Sequence, residues 1–89
     1  MTPYEEYQAF IAICRKKTTG KIIHHIQPKA FRPDLIDDPD NLVALTAEQH
    51  MHAHWLIAQT LPVGSVERRK MIFAFKNCVS AVMKELHHG

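Results

Sequence analysis

Apolar residues in this chain fall into helical, strand-like and unpatterned stretches, and the punctuation between them is unusually explicit. Tyr7, Phe10, Ile11 and Cys14 recur at three- and four-residue spacing, which predicts one buried face of an amphipathic helix. Thr2-Pro3-Tyr4-Glu5 opens that helix: Thr2 is the N-cap, Pro3 takes the first helical position and Glu5 closes a capping box. Arg15, Lys16 and Lys17 sit where cations suit the negative end of the helix, and Gly20 follows as a breaker, so the helix should run from about residue 3 to 17. Lys21 to Ile26 reads as a short strand. Between Gln27 and Asp40 three prolines and four aspartates leave no periodicity, which predicts an irregular loop with no regular element.

Regular structure should resume at Leu42-Val43-Ala44-Leu45, a short apolar run consistent with a second strand. Thr46-Ala47-Glu48-Gln49 is a second capping box, so a helix should run from Ala47 to about Thr60, where Leu61-Pro62-Val63-Gly64 stops it. Ser65 can cap a last helix over 66–86, with Ile72, Phe75, Val79, Val82 and Leu86 at helical spacing. The predicted order is helix, strand, loop, strand, helix, helix: an α+β, mostly helical protein, with residues 1–89 as one domain.

Composition narrows the class without choosing a function. Apolar residues make up 46% of the 89 and charged residues 22%, an ordinary balance for a folded globular chain. A chain this short buries a modest share of its surface, so a further source of stability is expected. No apolar run approaches the roughly 18 residues of a membrane span, and MTPYEEYQAF lacks the features of a secretory signal, so no membrane partner and a cytoplasmic location are expected. Cys14 and Cys78 form no C-x-x-C pair and are read as buried thiols on helices. The net charge of +2 does not demand a nucleic-acid partner, although Arg15, Lys16, Lys17 and Lys21 form one basic run and Arg68, Arg69 and Lys70 another.

Histidine changes the picture, with seven in the chain and five of them between residues 24 and 54. His50 and His54, four apart on a predicted helix, project about 40° apart around its axis and can grip one metal. His52 points nearly the other way, and His87-His88 at the end are set aside. A third ligand can come from His24-His25, of which only one can join the ion, because adjacent strand residues face opposite sides. The other is left free beside it. A free imidazole there can take a proton from water, since the ordinary histidine pKa of about 6.5 leaves it largely neutral.

The ordered set His24-His25-Ile26-x-Pro28, Asn41-Leu42-Val43, Leu45-Thr46, His50 and His54 resembles the HNH nucleases. These are also called His-Me finger or ββα-metal nucleases, and the likeness is to their phage and homing-endonuclease branch. It runs from about residue 21 to 60. It implies a two-stranded hairpin and a metal-binding helix as the core, flanked by the N- and C-terminal helices. Carried over, His24 matches the first metal ligand and His25 the general base. Asn41 matches the middle residue, whose side chain bonds backbone across the loop, and His50 and His54 match the helix ligands. A three-histidine site of this kind is similar to that of bacteriocin nucleases such as the colicins. The pattern departs at Ile22, where family members often carry an acidic residue.

What the resemblance implies is hydrolysis of DNA phosphodiesters, duplex before single-stranded DNA or RNA, in a bacterial or phage-infected cell. His25 would activate water, and one divalent cation would stabilise the phosphorane-like state and the departing 3′ oxygen. Three imidazoles suit zinc as the occupant after purification, with magnesium, manganese, nickel or cobalt as candidates for turnover. Lys16, Lys17, Lys21, Lys29 and Arg32 are candidate phosphate contacts. No sequence-reading module is visible, so weak specificity and nicking by a monomer are expected, with a double-strand break needing a homodimer. The competing class is a non-catalytic, zinc-stabilised module binding nucleic acid or protein, in which His52, a loop aspartate or Cys78 would supply a fourth ligand.

Overall fold

The computed structural model describes residues 1–17, 19–28 and 31–88, less the side chains of Glu85, His87 and His88. In chain order these residues form α1 (Pro3–Lys17), β1 (Ile22–His25), β2 (Leu42–Leu45), α2 (Ala47–Gln59) and α3 (Val66–His88), a mostly helical α+β arrangement with a ββα layout. Lys29 and the glycine at position 89 fall outside the described residues.

The local signals act as their chemistry predicts. Thr2 and Glu5 exchange reciprocal bonds at 3.1 and 3.2 Å, and Thr46 and Gln49 do the same at 2.9 and 3.1 Å. Each box satisfies backbone N–H groups that helix geometry leaves orphaned. Ser65 accepts from the Arg68 N–H at the start of α3. The first strand is shorter than the run from Lys21 to Ile26, because only Ile22–His25 find ladder partners; Ile22 pairs with Leu45 and His25 with Leu42 in antiparallel register.

Two expectations are corrected. The segment from Gln27 to Asp40 is not wholly irregular: Pro33–Leu35 and Pro39–Asn41 are single turns of 3-10 helix, each opened by proline. A fixed proline φ suits such a first turn, and the Asp38 side chain caps the second by accepting from the Asp40 N–H at 3.0 Å. On α3, Leu86 is exposed and Cys78 only half-buried, whereas Met71, absent from the expected stripe, is buried with the core.

The core gathers Tyr7, Ile11 and Cys14 of α1, Val43 and Leu45 of β2, Ala53, Leu56, Ile57 and Ala58 of α2, and Met71 of α3. α2 lies against both α1 and α3, so the helix bearing His50 and His54 is held from two sides. Gly20 is more than a breaker: a Cβ there would collide with the backbone of Leu45 and Thr46, so its lack of a side chain lets the chain between α1 and β1 cross the end of β2. Among the described residues no helix is long and apolar enough to cross a membrane.

Candidate metal centre and cleft

The hairpin presents His24 inward, at 3% exposure, opposite Val43. The α2 residues His50 and His54 come up beneath it, one helical turn apart. One ligand atom from each of the three rings lies within 4.8 Å of the other two. Their Nε2 atoms bring His50 and His54 to 3.0 Å, and His24 stands edge-on to both, with ring centroids 5.4 Å away in each case. Two imidazole nitrogens at that separation share one proton or one cation.

Burial disfavours protonation here, since a charged imidazole would lose its hydration beside two others. It lowers the pKa of His24 to about 3, with further repulsion from His54, His50 and His25. Burial also brings His54 down to about 4, assisted by His50, and it lowers His50. Neutral imidazoles are the form that binds metal, so donor type, protonation and spacing all fit a single cation.

The side chains that could close the shell lie elsewhere. His52 is exposed and packs edge-on against Phe10, with centroids 4.8 Å apart. Cys78 reaches His50 from behind, with Sγ 3.5 Å from Nδ1, the nitrogen remote from the Nε2 pair. Asp34, Asp37 and Asp40 are exposed and Asp38 turns back on Asp40. Among the described residues the cluster is therefore three histidines with room on one side, and that side opens into a cleft of about 370 Å³ lined by Ile23, Pro28, Met71 and the histidines, including His25.

His25 is half-buried at the rim. Its Nε2 lies 3.2 Å from the Ile36 carbonyl, which can only accept, so the neutral ring carries its proton on Nε2 and its lone pair on Nδ1, which has no hydrogen-bond partner among the described residues. Asn41, 6% exposed, clamps the chain just beyond: its Oδ1 accepts from the Gln27 N–H at 2.8 Å, and its Nδ2 donates to the Gln27 and Leu35 carbonyls at 3.1 and 3.3 Å. One amide thus ties β1 to the loop carrying Ile36, and the Ile26 N–H adds a bond to the Asn41 carbonyl.

The basic candidates divide. Lys16, Lys17 and Lys21 are exposed at the junction of α1 and β1. Arg32 is engaged with Asp34 in a two-point ion pair, its Nη2 at 2.9 Å, so contact with a phosphate would require exchanging that partner. Arg15, grouped with the lysines by sequence, donates to the Asp40 carbonyl and anchors α1 to the loop. Tyr7 was legible only as an apolar helix position, Cys78 as a buried thiol or rival fourth ligand, and Met71 was not singled out, yet all three touch the histidines or their cleft. The one hint was a tyrosine on an apolar stripe, whose hydroxyl needs a partner once buried.

Fold and site together define a small α+β protein with a ββα layout and a histidine cluster able to hold one metal ion. Comparison with known proteins points in a related direction. Over 36 residues the chain is 53% identical to a protein of Enterobacteria phage T4 named probable mobile endonuclease D, a stretch covering 40% of this chain and 13% of that protein. Over 55 residues it is 44% identical to probable mobile endonuclease E of the same phage, covering 62% of this chain and 34% of that protein. The chain spans about a third or less of the length of these relatives. No family model matches the chain, and no solved structure matches it.

Proposed function

We propose that the chain is an HNH-type nuclease domain that hydrolyses phosphodiester bonds in DNA, with duplex DNA nicked at low sequence specificity. The observation that carries this reading is the pairing, in one cleft, of a three-histidine cluster with a fourth histidine whose Nδ1 has no partner among the described residues. The partial likeness to two phage proteins named as endonucleases supports it, as does the absence of a fourth ligand at the cluster among the described residues, since structural zinc sites are usually closed by four protein ligands.

Each residue then has a task. His24, His50 and His54 hold one divalent cation, which when bound supplies Lewis-acid stabilisation of charge on the phosphate and on the departing 3′ oxygen. His25 accepts a proton at Nδ1 from the attacking water, and its Nε2 bond to Ile36 fixes the ring's direction. Asn41 holds the strand exit that carries His25. Lys16, Lys17 and Lys21 meet flanking phosphates as exposed cations. The departing 3′ oxygen takes its proton from solvent water and His25 returns its own to solvent, so the products carry 5′-phosphate and 3′-hydroxyl ends. Zinc suits three imidazoles best as the resident ion, while magnesium, manganese, nickel or cobalt are candidates for turnover. The setting is the interior of a bacterial or phage-infected cell, and either a monomer or a homodimer satisfies the site.

The test is plasmid nicking by metal-stripped protein with Mg²⁺, Mn²⁺, Co²⁺, Ni²⁺ and Zn²⁺ restored separately, beside His25→Ala and His50→Ala, with single-stranded DNA and RNA as alternative substrates. Nicking should need a metal and should fall by about 10²–10⁴ in His25→Ala, the usual weight of a general base, while that variant binds metal normally. His50→Ala should lose both. Absence of cutting with every metal, combined with stoichiometric zinc and a stability loss only in His50→Ala, would overturn the reading in favour of a structural zinc module.

A further inference from the structure

The hydroxyl of Tyr7 is buried between two partners that do not belong to its own helix. It lies 2.7 Å from the Ile26 carbonyl and 2.9 Å from His24 Nε2. A phenol has one proton to give, and a carbonyl can only accept. The Tyr7 proton is therefore committed to Ile26, and the bond to His24 must run the other way, with Nε2–H donating to the phenolic oxygen. A neutral imidazole carries a single N–H, so a ring that donates from Nε2 has its lone pair at Nδ1.

We propose that Tyr7 is a positioning residue for the metal site: it holds His24 as the Nε2–H tautomer and thereby makes Nδ1 the atom that His24 presents to the cation. The inference rests on the metal-site reading above and names what sets the first ligand's geometry. His50 turns Nε2 toward His54 and Nδ1 toward Cys78 Sγ, so it faces the cluster through Nε2, but a thiol can donate or accept and does not fix that ring's tautomer as Tyr7 fixes that of His24. Outer partners such as Tyr7 fix ring orientation and raise ligand basicity, and their loss typically costs about 10–100-fold in metal affinity. The relay also ends on Ile26, next to His25, so α1 couples the ligand to the strand exit bearing the base. A phenylalanine would fill the same space between α1 and the hairpin, so packing alone does not call for the hydroxyl.

The experiment has two arms. Long-range ¹H–¹⁵N correlation of the histidine rings in the metal-free, unmutated protein should show His24 with its proton on Nε2, and Tyr7→Phe should erode that preference. Competition titration with Zn²⁺ should show an affinity about 10–100-fold weaker in Tyr7→Phe, with helical content by circular dichroism unchanged. His24 protonated on Nδ1 in the unmutated protein, or Zn²⁺ binding within twofold of it in a folded Tyr7→Phe, would overturn the assignment. An unmutated protein that binds no Zn²⁺ while keeping the Nε2–H tautomer would overturn the metal-site reading, and with it any role for Tyr7 toward a metal. Failure of the Tyr7 assignment is distinct from this, since Zn²⁺ would then still bind.

Discussion

Asn41→Ala removes an amide that makes three hydrogen bonds from a nearly closed position. The losses are unequal. The Gln27 N–H, bonded at 2.8 Å, loses a charge-neutral but well-placed acceptor, and the Gln27 and Leu35 carbonyls lose their shared donor. Each buried polar group left without a partner costs about 1–3 kcal/mol. Gln27 is half-buried, so water recovers part of this and the variant should lose about 2–4 kcal/mol. A domain of this size has a total of roughly 5–10 kcal/mol to lose, so the effect is large and should appear as a lower urea midpoint at unchanged slope. Asn41→Asp separates the bonds: the carboxylate can still accept from the Gln27 N–H, but it faces two carbonyl oxygens with no proton to offer. At pH 7 it should be no more stable than Asn41→Ala, and on acidification it should gain relative to alanine, because a protonated carboxyl can donate to one of those carbonyls. Asn41→Ala within about 0.5 kcal/mol of the unmutated protein, the ordinary range for a surface change, would rule out a stabilising role for this amide, as would full stability of Asn41→Asp at pH 7.

Two further outcomes follow from burial and sterics. In the metal-free protein the pKa of His24 drops to about 3 and that of His54 to about 4, below the unfolded value near 6.5. The unfolded chain therefore binds more protons in that interval: stability is fully present above pH 6.5 and is lost as the pH falls. His24 alone should contribute a loss of about 2 kcal/mol by pH 5, and urea midpoints measured in chelator that stay level from pH 7 to pH 5 would refute this. Gly20→Ala would press a methyl group into the Leu45–Thr46 backbone and should cost at least about 1–3 kcal/mol, the usual toll of overpacking, read as a drop in thermal midpoint; a midpoint at the unmutated value would show that the two backbones do not pass so closely.

What the sequence determined by itself was local. The capping boxes at Thr2 and Thr46, the prolines and glycines between elements, and the spacing of apolar residues act within a few positions, so helix limits and strand positions could be read directly. The same is true of His50 and His54, because helix geometry alone puts residues four apart on one face. Tertiary structure decided the rest. That His24 meets the α2 pair depends on the hairpin folding over that helix, and that Met71 closes the cleft depends on how α3 crosses α2. Short 3-10 turns in the loop open at Pro33 and at Pro39, the second also capped by Asp38, without any periodicity to announce them. The hydroxyl of Tyr7 reaches a histidine 17 positions further along the chain, His24, and His25 Nε2 reaches the carbonyl of Ile36, 11 positions on. Ring tautomers are set by such partners, and partners distant in the chain leave no trace in local pattern: capping and helical spacing are short-range chemistry, whereas the direction of an imidazole lone pair is fixed by whatever the packed core brings to its other nitrogen.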